Sequence, residues 1–425
     1  MNRKIYLARV AAVAAGICIT GLASPTIREG SVSMTQAGDR QVSIRYTLDD
    51  EPAIVTVDIL TNDVSIGYAN IQNIAGDVNV KVATGSHEIL WRPDKSWPGH
   101  VFTNGEVKAV VRAWATNAPP DYMVVDLTMN NTMFFYPDAE AIPHGGVTNM
   151  LYKTSMLVMR RIPAANVRWR MGSPGNEPGR TAASETCHYV TLTEDYYMGI
   201  YEVTQKQFWW MCGTIPDSQY NAAPVGDAIP VCGYSLIQYC GAGAASSYSW
   251  PNGENPTHVS STCLLGQLRT KTGLEFHLPT DAQWEYAYRA GCRAMFHNGS
   301  DVEPSSGAEV CEDYAWVNVN NSFNTTQQKR EVGTFAPNAW GLYDMAGNVW
   351  EWMRDRYSPN ASVPSAEGSE VIDPVGDTDS AYGVIRSGSW SNPWRDARAA
   401  RRETYYLSDR APTIGFRLVC PAGIQ

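Results

Sequence analysis

Residues 341–352 read GLYDMAGNVWEW, and this stretch decides how the second part of the chain folds. It combines two glycines, two carboxylates and two tryptophans, which suits neither an exposed loop nor a regular strand. We therefore expect a sharply folded core segment that holds Asp344 close to Glu351. Two adjacent carboxylates repel each other unless a cation or strong hydrogen-bond donors lie beside them. A calcium ion with oxygen ligands meets this need, and capping of local backbone amides is the alternative.

The composition is that of a globular protein rich in strands and loops. The chain has 425 residues, enough for two or three domains, with few charged residues and many Gly, Pro, Trp and Tyr. Its net charge of −10 argues against nucleic acid as a partner, because nucleic acids require a basic binding face. After the N-terminus no stretch stays apolar for about 18 residues, so we expect no transmembrane segment.

Residues 1–23 have the features of a secretory signal peptide. Basic residues precede the apolar stretch Val10–Leu22, and Ala23 ends a small-residue cleavage site. We therefore expect export to the periplasm or the extracellular space. Eight cysteines follow, and an even number in an exported protein favours disulfides. Cys292 and Cys311 are one candidate pair because they flank a single loop.

Residues 30–127 are expected to form an all-β sandwich of the immunoglobulin or fibronectin type. Apolar and polar residues alternate around Val42–Tyr46, Val55–Ile59 and Val107–Ala113, with turn-forming residues between these stretches. Short strands at this spacing are typical of such sandwiches. Residues 128–149 mix Asn, Pro and Gly, which indicates a linker.

Residues 150–425 are expected to form a second, loop-rich α+β domain with a few short helices. Thr204 is a suitable N-cap for one helix, and Thr280 with Gln283 forms a capping box at the start of another. Trp284 lies on the second of these helices, and we expect its ring to anchor the core.

Seven short motifs occur in this domain in the order that characterises one protein family. They are Met171–Pro174, Tyr201–Thr204, Leu278–Tyr286, Gly341–Trp352, Arg386–Trp390, Ala399–Arg401 and Gly415–Arg417. Together they resemble the formylglycine-generating enzymes, or sulfatase-modifying factors. The resemblance covers residues 150–421 and implies a fold related to C-type lectins, preceded here by the all-β sandwich.

The resemblance also implies a structural calcium ion. Carried over to this sequence, its ligands are the side chains of Asp344 and Glu351 and the backbone carbonyls of Gly347 and Val349. A set of oxygen ligands that includes two anionic groups suits calcium on physical grounds as well.

The chain departs from the family at the residues that carry the chemistry. Formylglycine-generating enzymes oxidise a substrate cysteine with two cysteines that bind copper(I), and this chain has Asn392 at the first position and only Pro393–Arg398 around the second. Copper(I) is a soft ion that needs thiolate ligands, so we expect neither copper nor the oxidase reaction. The resemblance also implies that a disulfide joins Cys420 on the last strand to Cys240 on a helix, with Cys263 as the rival.

Where the enzymes have their groove, this chain has aromatic residues and arginines. The candidates are Ser389, Trp390, Ser391, Asn392, Trp394, Arg395, Arg398 and Arg402. Rings stack on sugar faces and guanidinium groups pair with sulfate or carboxylate, which favours an anionic glycan, or a protein or peptide ligand. The alternative is that the arginines pair with Asp355, Asp396 or Asp409 and the tryptophans fill the core.

Two functions are consistent with these observations. The first is an exported module that binds a ligand and lacks the oxidase activity. The alternative is a formylglycine-generating oxidoreductase that modifies a sulfatase cysteine with relocated metal ligands.

Overall fold

The computed structural model describes most of the chain after the N-terminus. The described ranges are 24–36, 40–100, 106–128, 132–216, 224–240, 259, 261–301, 314–318, 328–357, 368–376 and 380–424. The predicted signal peptide, residues 1–23, and Cys311 lie outside them. Within these ranges no helix combines the length and the apolar character needed to cross a membrane.

The first structural unit contains nine strands in two antiparallel sheets. The strands are β1 (Thr26–Ile27), β2 (Ser33–Gln36), β3 (Val42–Asp49), β4 (Ala53–Thr61), β5 (Val64–Ser65), β6 (Ile74–Gly76), β7 (Val80–Val82), β8 (Gly85–Trp91) and β9 (Val107–Ala115), with a short helix α1 (Pro93–Ser96). One sheet has the order β1-β3-β8-β6, with β2 beside β3, and the other has β5-β4-β7, with β9 beside β4. The expected stretches of alternation correspond to β3, β4 and β9.

Both sheets contribute to one apolar cluster. Ile44 and Trp91 reach it from the first sheet, and Val55 and Ile59 from the second. Alternate residues of β3 are buried, as the sequence pattern predicts for a strand with one face in a core. The assignment of this unit to the immunoglobulin or fibronectin type stays a prediction.

The described residues of the second unit contain twelve strands in three sheets. The strands are β10 (Tyr122–Asp126), β11 (Met133–Tyr136), β12 (Met156–Ile162), β13 (Val167–Met171), β14 (His188–Leu192), β15 (Tyr196–Gly199), β16 (Trp350–Arg356), β17 (Glu370–Ile372), β18 (Tyr382–Arg386), β19 (Glu403–Tyr406), β20 (Ile414–Gly415) and β21 (Val419–Pro421). The sheet orders are β11-β10-β12-β15-β21, β13-β14-β17 and β19-β18-β16-β20. The unit is therefore rich in strands, in keeping with the expected α+β class.

Five short α-helices accompany these sheets in the part of the unit that the structure describes. They are α2 (Leu151–Thr154), α3 (Gln205–Cys212), α4 (Leu236–Cys240), α5 (Leu264–Thr272) and α6 (Asp281–Arg289). Thr204 and Thr280 cap α3 and α6 through complete capping boxes, so both predicted helix starts are confirmed. Trp284 on α6 is fully buried in the core, as expected.

The boundary between the two units differs from the predicted one. Strand β10 was assigned to the sandwich of residues 30–127, yet it pairs with β12 along its whole length. Strand β11 lies inside the predicted linker, 128–149, and pairs with β10. All five residues of β10 are buried, because it is a central strand that packs on both faces. The second unit therefore begins near residue 122.

The two units share core contacts. Ile54 of β4 is fully buried and belongs to the same apolar cluster as Met123 and Phe135 of the second unit. The Phe135 N–H donates to the Asn79 carbonyl at 2.7 Å, and the Ile424 N–H donates to the Thr116 carbonyl at 2.8 Å. The units are thus joined by packing as well as by chain connectivity.

The expected disulfide between Cys240 and Cys420 is not formed. Both residues are buried free thiols, one at the end of α4 and the other on β21. The Cys420 strand is instead held by backbone pairing with β15. Cys263 is also a free thiol, and it serves as the N-cap of α5.

We expect Ile54→Ala to destabilise both units together. Loss of a fully buried isoleucine side chain costs about 2–4 kcal/mol of unfolding free energy. Urea unfolding, followed by tryptophan fluorescence and by circular dichroism, should show one transition at a lower urea concentration. Val64→Ala, at a position 68% exposed, is the control and should change stability little. Two separate transitions in the Ile54→Ala variant would contradict a shared core.

Candidate functional site

The segment 341–352 forms a tight turn that enters β16. Asp344 and Asn348 both have positive φ, at 54° and 62°. Gly347 lies so close to the neighbouring chain that a Cβ atom would be 2.3 Å from the Trp316 carbonyl oxygen. Only glycine fits that approach, which explains the glycine between Ala346 and Asn348 in the motif.

Glu351 is the buried centre of this region. Arg417 binds it in a bidentate manner, with Nη2 2.8 Å from Oε1 and Nε 2.8 Å from Oε2. The Trp284 indole N–H donates to Oε2 at 2.9 Å. Both side chains of the ion pair are fully buried. Both Glu351 oxygens are therefore engaged by donors from the protein itself.

Two further carboxylates lie beside this ion pair. Asp344 accepts the Gly333 N–H at 2.6 Å, and burial raises the pKa of Asp344 to about 6. Glu202 accepts the side-chain amide of Asn348 at 2.6 Å. Burial, together with the charges of Asp344 and Glu351, raises the pKa of Glu202 well above its ordinary value. Glu202 belongs to the motif Tyr201–Thr204, but the sequence did not indicate that it lies beside Asp344 and Glu351 as a third buried carboxylate.

This arrangement does not fit the implied calcium site. Glu351 faces the fixed positive charge of Arg417, and the Gly347 carbonyl accepts the Ser387 hydroxyl at 3.0 Å. Val349 is buried, and its N–H donates to Glu202. In the described ranges no group of at least three His, Cys, Asp or Glu side chains is placed to hold a metal. Calcium stays a prediction, and Arg417 supplies the positive charge that the carboxylates need.

Asn392 occupies the position at which the resemblance places the family's first copper cysteine, and its amide binds three neighbouring side chains. Its Oδ1 accepts the Trp350 indole N–H at 2.8 Å and the Ser389 hydroxyl. Its Nδ2 donates to Asp396 at 3.3 Å. Ser389 is itself completely buried. These two groove candidates therefore stabilise the turn after β18.

Arg398, a groove candidate, does not line an open groove. It is fully buried, and its two terminal nitrogens lie 2.8 and 2.9 Å from the two carboxylate oxygens of Glu185. It also binds Glu177 and the Gly179 carbonyl, the latter at 2.7 Å. These partners come from the Gly- and Pro-rich loop after β13, which packs over the guanidinium.

Arg402 is likewise corrected from a ligand group to a structural one. Its side chain is buried, and Nε lies 2.6 Å from Oδ2 of Asp281 at the start of α6. The alternative interpretation, that arginines form ion pairs, is right for these two residues. Their partners are Glu177, Glu185 and Asp281, whereas the sequence suggested Asp355, Asp396 or Asp409.

The remaining candidates keep exposed surface. Arg395 and Ser391 are exposed, and Trp390 and Trp394 are half-buried. Trp394 packs near Phe296, with ring centroids 6.4 Å apart. Of the eight candidates, these four can reach a ligand.

The structure adds a residue that the sequence did not indicate. The Arg330 guanidinium stacks 3.5 Å from the centre of the Trp316 ring. Asn348 connects this pair to the predicted site: its side-chain oxygen accepts the Arg330 N–H at 3.0 Å, and its carbonyl accepts the Trp390 N–H at 2.8 Å. We call Arg330, Trp316, Trp390 and Asn392 the Asn348 patch. Within it Arg330 and Trp390 are half-buried and can contact a ligand, whereas Trp316 is buried beneath Arg330 and Asn392 holds the turn. No motif or spacing marked Arg330, because the contact depends on the turn.

Comparison with known proteins identifies the second unit. Residues 159–422 match the family model described as "Sulfatase-modifying factor enzyme 1-like domain". The chain belongs to this family. The match covers more than half of the sequence and begins after the whole first unit and after strands β10 and β11.

Relatives of this sulfatase-modifying factor protein carry different names. A formylglycine-generating enzyme from Streptomyces coelicolor is 31% identical over 145 residues, which are 33% of this chain and 45% of the relative. Serine/threonine-protein kinase pkn1 from Chlamydia pneumoniae is 35% identical over 141 residues, which are 33% of this chain and 20% of the relative. The matches thus span less than half of these relatives. The solved structure of Treponema denticola variable protein 1 has a TM-score of 0.48 and 23% identity, covering 63% of this chain and 95% of that one.

A second buried carboxylate cluster lies in the sulfatase-modifying factor domain, near Arg402. Asp355 is fully buried, and its Oδ2 accepts the Asp281 N–H at 2.8 Å. Its Oδ1 is buried and has no hydrogen-bond partner among the residues that the structure describes. Burial, and then the Asp281 charge, raises the pKa of Asp355 to about 7.

We expect Asp355 to make stability depend on pH below neutrality. Its folded-state pKa lies above its ordinary value of about 3.9, so the folded protein binds this proton more tightly. The resulting stability is present below pH ~4 and is lost as the pH rises to about 7, by up to roughly 4 kcal/mol. Urea unfolding between pH 4 and 8 should show a flatter profile for Asp355→Asn. Asp409→Asn, on the surface, should keep the wild-type slope; an unchanged slope in Asp355→Asn would contradict the assignment.

We expect calcium and EDTA to leave the melting temperature unchanged, because Arg417 already neutralises Glu351. Glu351→Gln should lower stability by about 3–5 kcal/mol with or without calcium, since it breaks a buried ion pair. Calorimetry of the full chain tests both statements, with the surface change Glu370→Gln as control. A rise in melting temperature with calcium that disappears in Asp344→Asn would support the calcium site instead.

Proposed function

We propose that this protein is an exported binding module whose sulfatase-modifying factor domain lacks copper oxidase activity. The observation that carries the proposal is Asn392. It stands where the family resemblance places a copper-binding cysteine, and its amide is bound to Trp350, Ser389 and Asp396. Copper(I) requires thiolates, and an amide is no substitute.

The rest of the sequence offers no replacement thiol in this region. No cysteine occurs between Cys311 and Cys420. Cys240 and Cys420 are buried in an apolar cluster, and burial raises the pKa of both thiols far above their ordinary value. A buried thiol that stays protonated is a poor ligand for copper.

The Asn348 patch and Arg395 supply the groups that an anionic ligand needs. Within the described part of the chain, Arg330 makes no ion pair, and its guanidinium is oriented by the Trp316 ring. A stacked guanidinium loses little conformational freedom when it binds a sulfate or a carboxylate. Trp390 and Trp394 keep exposed ring surface that suits stacking on a sugar. An anionic glycan is therefore the ligand we propose, with an acidic protein or peptide as the other form of the same chemistry.

The proposal is tested by measuring the binding of a sulfated glycosaminoglycan oligosaccharide and its desulfated form. We expect the sulfated form to bind more tightly, and Arg330→Gln and Arg395→Gln each to weaken it about tenfold, since a charge-assisted hydrogen bond contributes about 1.5–3 kcal/mol. Arg45→Gln, an exposed arginine of the first unit, is the matched control and should bind like the wild type.

Isothermal calorimetry at low and high salt gives the affinities, and binding should weaken as salt rises. Equal affinity for both glycans, or wild-type affinity in both arginine variants, would contradict the proposed site.

A parallel assay loads the protein with copper(I) and offers a Cys-x-Pro-x-Arg peptide under oxygen. Formation of an aldehyde would overturn the binding-module proposal in favour of the oxidoreductase.

A further inference from the structure

A cavity of about 320 Å³ lies between the two units. The first unit contributes Tyr68, Gln72 and Asn79 to its wall, and the second contributes Phe134 and Tyr136. No lining residue carries a charge. The cavity therefore differs from the Asn348 patch, which contains the charged side chain of Arg330. Concave, largely apolar sites at domain interfaces are where proteins most often bind small molecules.

The walls of the cavity are fixed before any ligand binds. The Asn79 N–H donates to the Val55 carbonyl at 2.6 Å, and the Asn79 carbonyl accepts the Phe135 N–H at 2.7 Å. This residue therefore ties β4 of one unit to β11 of the other beside the cavity. These contacts are backbone hydrogen bonds inside a packed interface. Ligand binding would therefore cost little conformational entropy at this site.

The size of the cavity limits the ligand. An apolar cavity of about 150 Å³ accepts benzene, so this one holds a molecule of roughly two fused rings. The aromatic side chains of Tyr68, Phe134 and Tyr136 provide surfaces for ring stacking. A charged ligand would lose its hydration and find no charged residue in the cavity lining.

The cavity also has hydrogen-bonding capacity that the protein does not use. The side chains of Tyr68, Gln72 and Asn79 line it, and none of them bonds to another residue in the described ranges. Burial raises the pKa of Tyr68 to about 12, so its phenol remains a donor at neutral pH. These groups can meet one polar edge of an otherwise apolar ligand.

We propose that this interdomain cavity binds a neutral bicyclic aromatic molecule with one hydrogen-bonding edge. The ligand would contact both units at once. The proposal does not depend on glycan binding, because it uses different residues and a ligand of the opposite polarity.

The experiment uses the full chain and three probes: indole, naphthalene and indole-3-acetate. Ligand-observed NMR and calorimetry should show saturable binding of indole and naphthalene. Indole-3-acetate has the same rings and a negative charge, and it should bind at least tenfold more weakly than indole. Absence of saturable binding for both neutral probes, or tighter binding of the anion, would overturn the proposal.

Variants locate the site. Ala75→Trp places a large ring at an exposed rim position, where folding tolerates it, and should weaken both neutral probes at least tenfold. Tyr68→Phe should weaken indole a few-fold and leave naphthalene unchanged. Tyr382→Phe, an exposed tyrosine outside the cavity lining, is the matched control and should bind both probes like the wild type. Wild-type affinity in Ala75→Trp, with an unchanged circular dichroism spectrum, would show that the probes bind elsewhere and would overturn the assignment.

Discussion

The ion pair between Arg417 and Glu351 holds together the segments from which the second unit is built. Besides Glu351, the Arg417 guanidinium donates to the carbonyls of Gly199 and Tyr343, at 3.0 and 2.9 Å. It thus joins the end of β15, the turn before β16 and the last part of the chain. A buried charge without a partner is strongly destabilising, so these segments can pack only with the pair intact. The segment 341–352 owes its position to this contact.

Other buried arginines of the domain also bind a carboxylate and backbone carbonyls at the same time. Arg386 binds Asp281 and Glu285 of α6 and also donates to the Ala399 carbonyl at 2.8 Å. Arg398 does the same for the loop after β13. A loop-rich fold leaves many buried carbonyls without strand or helix partners, and each must find a donor. A guanidinium has five N–H groups in a fixed plane and can satisfy several carbonyls and a carboxylate together. The loops of this domain are thus held largely by buried arginines.

This use of arginine changes where function can lie. Two arginines that the sequence suggested for a binding groove, Arg398 and Arg402, are buried in ion pairs that stabilise the fold. Arg395, a groove candidate from the sequence, is exposed, and Arg330, which no motif marked, is half-buried. In this domain the buried arginines and carboxylates serve the fold, and the half-buried or exposed polar groups are the ones that a ligand could contact. The cavity where the first unit packs near β11 is lined by uncharged residues, in contrast to the arginines of the second unit.

The sequence by itself determined the local features and the family. Helix caps and strand alternation depend on residues only a few positions apart. The sequence alone could therefore predict the helix starts at Thr204 and Thr280 and the strands β3 and β4. The ordered motifs likewise identified the sulfatase-modifying factor domain.

Tertiary structure alone decided the partners of the charged residues. Arg398 and Glu185 are 213 positions apart, and Glu351 and Arg417 are 66 apart. No spacing rule reaches over such distances, because the pairing depends on how loops fold onto one another. The same reason explains why β10 was assigned to the first unit: the sequence placed a strand at residues 122–127, but only the packing of the whole chain decides which sheet the strand joins.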